Sequence, residues 1–327
     1  MERELAIEFV RVSEAAAIAS AKWMGRGNKN KADQAAVDAM RGMFETVDID
    51  GEVVIGEGEI DEAPMLYIGE RIGRNEGEVS KVDIAVDPLE GTRIVAEGRA
   101  NALAILAVAE RGGFLKAPDM YMDKLAVGPG AKGSINIDKS VAKNLQNIAH
   151  ALNKPVEEVT VTILDKERHR GEGGLISQVR KSGAKTRLIS DGDVAAALAT
   201  ALPETGVDVL MGVGGAPEGV LAAAGLKCLG GDMEARLRPR EDSEIKRAKE
   251  MGIKEIEAAL RLDDLAGSED IIFSATGVTD GAMLKGVRFK GKQAETESLV
   301  MRSKTGTIRF VEAIHNLDTK PLPDNIL

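Results

Sequence analysis

At 327 residues, 43% hydrophobic and 29% charged, the chain can bury a large core and has the make-up of a globular enzyme. A net charge of −10 without a basic stripe excludes nucleic acid as the main partner, and no apolar run reaches membrane-spanning length. The single cysteine, Cys228, excludes an internal disulfide and reads as a buried structural thiol. Residues 1–24 are amphipathic and carry acids, unlike a signal peptide, so a cytoplasmic enzyme is expected.

Apolar positions at Leu5, Phe9, Val12 and Ala16 predict a helix over 2–24, stopped by Gly25. Val37, Met40 and Phe44 share a face of a second helix over 33–44, with Asp33 placed to cap it. A short strand at 52–55 runs into Gly56-Glu57-Gly58-Glu59-Ile60-Asp61, where alternation puts Glu57, Glu59 and Asp61 on one face. A second strand, 82–86, stops at Asp87-Pro88-Leu89-Glu90-Gly91-Thr92. The continuous apolar run 102–109 predicts a central strand, and 119–130 a loop, short strand and turn. A helix over 139–152 ends at Asn153-Lys154-Pro155, where a soft boundary divides subdomain 1–155 from subdomain 156–327.

The second half opens a fresh β/α series. A strand at 159–164 is followed by a helix to Lys181 and a strand at 187–189. Asp191-Gly192-Asp193 leads into an Ala-rich helix, 194–202, stopped by Pro203. A strand at 207–212 runs into Val213-Gly214-Gly215-Ala216-Pro217-Glu218-Gly219 and another Ala-rich helix. A charged, exposed helix is expected over 241–260, a core strand at 271–277, and terminal strands near 297–302 and 307–311. Strand and helix alternating in this way predict a layered α/β protein.

The junction at 87–92 carries the most chemistry. Pro88 offers no N–H and holds Asp87 extended, Gly91 admits a ligand close to the backbone, and Thr92 can open a helix. Asp87 and Glu90 supply hard oxygens of the kind that bind divalent cations; the same residues also make a polar turn. Further acids stand at other strand ends: Glu57, Asp191 with Asp193, and Glu218. Two carboxylates about 4 Å apart repel by roughly 4 kcal/mol at an effective dielectric of about 20, so convergence requires cations, whereas separate solvated loops would not. Glu218 after Pro217 is also ordinary helix-start chemistry.

The cluster Lys166-Glu167-Arg168-His169-Arg170 follows a strand end, and reads either as a solvated turn or as a grip on a second phosphate. His150, His169 and His315 do not have zinc-ligand spacing, and no Ser-His-Asp or Cys-His set is visible. Water activated by metal is the economical nucleophile.

Asp87-Pro88-Leu89-Glu90-Gly91-Thr92 resembles the signature of the lithium-sensitive sugar and inositol phosphatases. The stretch from Gly56 to Glu70, Ala117-Pro118-Asp119-Met120-Tyr121-Met122 and Gly214-Gly215-Ala216-Pro217-Glu218-Gly219 resemble the bacterial class II fructose-1,6-bisphosphatases, and the likeness extends over essentially the whole chain. The resemblance implies a layered α-β-α-β-α sugar-phosphatase fold and a gluconeogenic enzyme that removes the 1-phosphate of fructose 1,6-bisphosphate with Mg²⁺ or Mn²⁺.

Carried onto matching positions, it makes Asp33, Glu57, Asp87, Glu90 and Glu218 metal ligands, and places Lys29 near the 1-phosphate. Thr92 would orient or help deprotonate the attacking water, with Asp61 assisting. Glu90, Gly91, Thr92, Tyr121, Lys166, Arg168, Asp191, Asp193 and Gly215 would bind substrate. Asp33 thereby becomes more than a cap, and Lys166 and Arg168 more than a solvated turn; roles for His169 and Arg170 stay open. The expected partner is a sugar bisphosphate, without nucleic acid or membrane, in a homo-oligomer (dimer or tetramer). The alternatives are a dual fructose-1,6-/sedoheptulose-1,7-bisphosphatase, an inositol phosphatase and a non-catalytic sugar-phosphate-binding protein.

Overall fold

The computed structural model describes residues 1–58, 65–75 and 79–319. In chain order these form α1 (Leu5–Ala21), α2 (Lys29–Phe44), β1 (Ile49–Ile55), β2 (Arg71–Ile72), β3 (Ser80–Glu90), α3 (Thr92–Glu97) and β4 (Leu103–Glu110). There follow β5 (Tyr121–Val127), α4 (Val141–Ala151), β6 (Thr160–Leu164), α5 (Leu175–Lys181), β7 (Lys185–Ile189) and α6 (Asp193–Ala199). Next come β8 (Val209–Gly215), α7 (Ala216–Leu229), β9 (Asp232–Arg238), α8 (Asp242–Glu250), β10 (Leu260–Arg261) and α9 (Leu262–Leu265). The chain ends on β11 (Ile271–Gly277), β12 (Arg288–Lys290), β13 (Gln293–Arg302) and β14 (Thr307–Asn316). The protein is a mixed α/β protein, as its alternating pattern predicts.

The chain forms two compact units, one of Met1–Phe114 with Ser268–Leu327 and one of Leu115–Gly267. The pause at Asn153-Lys154-Pro155 falls inside the second unit, between α4 and β6. The physical reason is strand pairing: the chain leaves its first sheet after β4 and returns to it as β11, with Ile271 opposite Ala109.

The first unit is built on a sheet of order β12-β13-β11-β4-β3-β1-β2, with β14 beside β13. Only β1 and β3 run parallel among its described pairs. Helix α1 is buried on nearly all sides, Phe9, Val12, Ala16 and Ile18 being fully enclosed. Its many alanines let it lie close to α2 and to the sheet at once, which explains a helix with so little amphipathic contrast.

The second unit has a sheet of order β10-β9-β5-β8-β6-β7. Leu125, Val127, Val161, Val209 and Met211 meet α4 and α5 in one core. On the other face of β5, Met122 and Lys124 approach Gly219 of α7, because side chains alternate along a strand.

Several expected elements shift. Helix α2 starts at Lys29 because the Asn28 side chain accepts the Lys31 N–H at 3.0 Å, so Asp33 lies a full turn inside rather than at the cap. The strand expected at 207–212 instead runs from Val209 to Gly215, with Gly214 opposite Met122 and Gly215 opposite Tyr121. The charged helix stops at Glu250, ahead of Gly252 in a left-handed conformation (φ +95°), instead of continuing to 260.

Candidate active site

In the first unit, the parallel register Val53↔Ile84 and Ile55↔Ala85 carries β1 and β3 out at the same edge of the sheet. Glu57 and Asp87 each stand two residues beyond that last pair. Asp87 still pairs with Ile105, and Glu90 with Leu103, but the ladder shifts between them, where Pro88 has no N–H to give. Glu90 is buried; Asp87 and Thr92 are half-buried. Gly91 is left-handed (φ +88°) and caps α3, so Thr92 is the first residue of that helix.

Lys29 and Asp33 sit one turn apart at the start of α2. The loop before them is tied to α3: the Gly25 N–H donates to the Val95 carbonyl and the Gly27 N–H to the Ala96 carbonyl, both at 2.9 Å. Burial pushes the Asp33 carboxyl above its ordinary range, while the nearby Lys29 ammonium pulls it back. Asp33, Glu57, Asp87 and Glu90 offer carboxylate oxygens only, the donor chemistry of a hard divalent cation. Among the described residues, no three acidic, histidine or cysteine side chains are gathered as a ready cage. Asp61, expected to assist catalysis, lies outside the described residues, as does Glu59.

The second unit carries its own buried charge cluster. Lys124 on β5 stands 2.5 Å from Oδ2 of Asp193, the first residue of α6, and both are buried. Glu218 is the third residue of α7, and its Oε2 is enclosed without a hydrogen-bond partner among the described residues. Burial raises the Glu218 carboxyl, Lys124 lowers it, and Asp193 raises it again. An enclosed carboxylate oxygen without a donor costs about 1–3 kcal/mol or more, and a cation is its natural complement. Gly215 and Gly214 keep this cluster tight: a methyl on Gly215 would overlap Oε2 of Glu218, and one on Gly214 would overlap Oδ2 of Asp193. Lys124 was missed in the sequence; its signal was a lone lysine inside the apolar alternation of β5.

Tyr121 begins β5, and the Arg168 guanidinium lies over its ring, 4.6 Å from the centroid. Arg168 donates through Nε and Nη2 to the Val213 carbonyl at 3.0 and 2.7 Å. His169 holds this arrangement from below. The Val213 N–H can only donate, so Nε2 of His169 accepts it at 2.8 Å, and Nδ1 therefore carries the proton that it gives to the Leu164 carbonyl at 2.7 Å. Burial lowers the His169 pKa, consistent with this neutral tautomer. Arg170 turns the other way and pairs with Asp165 through two bonds of 2.7 Å. Among the expected substrate residues, Tyr121 and Arg168 are therefore brought into contact, and Asp193 shares Lys124 with the expected metal ligand Glu218; Lys166 and Asp191 are half-buried at the ends of β6 and β7.

The model of the glpX-encoded bacterial fructose-1,6-bisphosphatases matches residues 3–315. This chain belongs to that family. The class 2 fructose-1,6-bisphosphatase 1 of Escherichia coli K12 is 55% identical, over 98% of this chain and 97% of the relative. The class 2 enzyme of Haemophilus influenzae is 49% identical over 97% of this chain and 98% of its own. The Synechocystis relative, named D-fructose 1,6-bisphosphatase class 2/sedoheptulose 1,7-bisphosphatase, is 44% identical over 96% and 97%. As a member of the bisphosphatase family, the chain is a metal-dependent phosphatase that hydrolyses a phosphate monoester.

Proposed function

We propose that this enzyme removes the 1-phosphate of fructose 1,6-bisphosphate, yielding fructose 6-phosphate and inorganic phosphate, with Asp33, Glu57, Asp87, Glu90 and Glu218 as ligands of Mg²⁺ or Mn²⁺. A divalent cation supplies a more acidic water and neutralises phosphoryl oxygens. The residues do the rest. The Thr92 hydroxyl, fixed at the start of α3 by the left-handed Gly91, orients the attacking water by accepting its hydrogen bond and so helps its deprotonation, with Asp61 assisting. Lys29 contributes a positive charge toward the departing 1-phosphate, and Glu90, Gly91 and Thr92 border it. Tyr121, Lys166, Arg168, Asp191, Asp193 and Gly215 hold the sugar and the 6-phosphate.

The observation that carries this reading is the end of β3: two carboxylates, a proline-shifted ladder, a left-handed glycine and a hydroxyl in six consecutive residues. A protein that only bound sugar phosphates would not need Thr92 there. The double name of the Synechocystis relative supports a second activity on sedoheptulose 1,7-bisphosphate. A homo-oligomer (dimer or tetramer) and a cytoplasmic setting complete the proposal, supported respectively by the apolar Ile308, Phe310 and Ile314 exposed on β14 and by a lone buried cysteine. Phosphate release from fructose 1,6-bisphosphate, sedoheptulose 1,7-bisphosphate and inositol 1-phosphate, with each metal separately, tests it. Preference for inositol 1-phosphate would refute the assignment.

A further inference from the structure

The Tyr121 ring carries a second guanidinium. Arg240, two residues past the end of β9, places its guanidinium carbon 4.9 Å from the ring centroid, against 4.6 Å for Arg168. The two guanidinium groups therefore meet at one neutral ring. Arg240 is not simply adrift at the surface. Its Nε and Nη2 hold Oε1 of Glu244 at 3.0 and 2.6 Å, and its backbone N–H holds Oε2 at 2.6 Å, which fixes the side chain's direction.

Both guanidinium groups are spent along the same edge. Arg168 gives Nε and Nη2 to the Val213 carbonyl, and Arg240 gives Nε and Nη2 to Glu244. Each keeps Nη1, which has no hydrogen-bond partner among the described residues. The Arg240 side chain is 61% exposed and so is within reach of a ligand. A phosphate dianion has more acceptor positions than the one remaining edge of Arg168 can satisfy.

We propose that Arg240 is the second guanidinium of the distal phosphate site, gripping the substrate's 6-phosphate opposite Arg168 with Tyr121 as their common platform. The proposal rests on the assignment of Tyr121 and Arg168 to that phosphate. In it, Glu244 aims Arg240, and the incoming phosphate accepts from the Nη1 groups that both guanidiniums keep. Substrates without a distal phosphate gain nothing from Arg240.

The test compares fructose 1,6-bisphosphate with fructose 1-phosphate in Arg240→Gln, Arg240→Lys and Arg168→Ala enzymes. Arg240→Gln should raise KM for the bisphosphate roughly 10- to 100-fold, the loss of one charge-assisted hydrogen bond, with kcat little changed and fructose 1-phosphate turnover unaffected. Arg240→Lys should recover only part, because an ammonium restores the charge without the planar fork. Equal effects on both substrates, or none, in Arg240→Gln while Arg168→Ala still discriminates would overturn the role of Arg240 alone. Failure of Arg168→Ala to discriminate would overturn the distal phosphate site itself, and Arg240's place in it.

Discussion

Lys124 Nζ lies 2.5 Å from Asp193 Oδ2 in the interior of the second unit, and the same ammonium is the chief charge opposing the buried Glu218 carboxylate. Removing one partner of a buried ion pair is far costlier than the pair is worth, because the other is left charged without a counter-ion. Lys124→Met should therefore lower unfolding free energy by about 3–5 kcal/mol in urea titrations. A loss below about 1 kcal/mol would show that the pair is dispensable.

Gly215 has an ordinary extended backbone (φ −71°), so only space decides what fits there. A methyl group would push aside the Glu218 carboxylate rather than strain the chain. Gly215→Ala is expected to keep the thermal transition near wild type while weakening Mn²⁺ affinity at least tenfold, read by titration calorimetry. Unchanged affinity would remove Glu218 from the proposed ligands.

In the proposed reaction, Thr92 contributes through its hydroxyl alone. General acid–base help is worth about 10²–10⁴-fold, so Thr92→Ala should lower kcat by that order with metal affinity and KM roughly unchanged. Thr92→Ser should restore much of the rate. Near-normal turnover in the alanine enzyme would reduce Thr92 to the opening residue of a short helix.

His169 accepts a hydrogen bond from the Val213 N–H in the native state, and burial lowers its pKa below the ordinary histidine value. The unfolded chain therefore binds the extra proton first as pH falls, and native stability drops with it. This contribution is intact above the unfolded histidine pKa of about 6.5 and is lost on descending below it. The urea midpoint of the wild type should fall between pH 7.5 and 5.5 more steeply than that of His169→Asn. Parallel slopes would contradict the assignment.

The strand end at the centre of the proposed site is legible because strand ends punctuate a sequence strongly. The residues from Asp87 to Thr92 advertise a carboxylate-lined exit from a core strand, and that exit is where β3 ends. Tyr121 and Lys124 show the limit: both lie on β5, and their partners Arg168, Arg240 and Asp193 are brought in by pairing between distant strands and by α6. Local periodicity holds no record of such neighbours. Asp33 failed as a cap for a related reason, since Asn28 competed for that role with a better-placed side chain. The discontinuous first unit was equally hidden, because nothing near Asn153-Lys154-Pro155 reveals that β11 will return to β4.

The most direct test follows ³¹P resonances of fructose 1,6-bisphosphate with the purified enzyme, with diamagnetic Mg²⁺ and then after exhaustive chelation. The account predicts loss of the 1-phosphate signal, growth of fructose 6-phosphate and inorganic phosphate in equal amounts, and arrest on chelation with recovery when Mg²⁺ is returned. Release of the 6-phosphate, or undiminished turnover without metal, would contradict it.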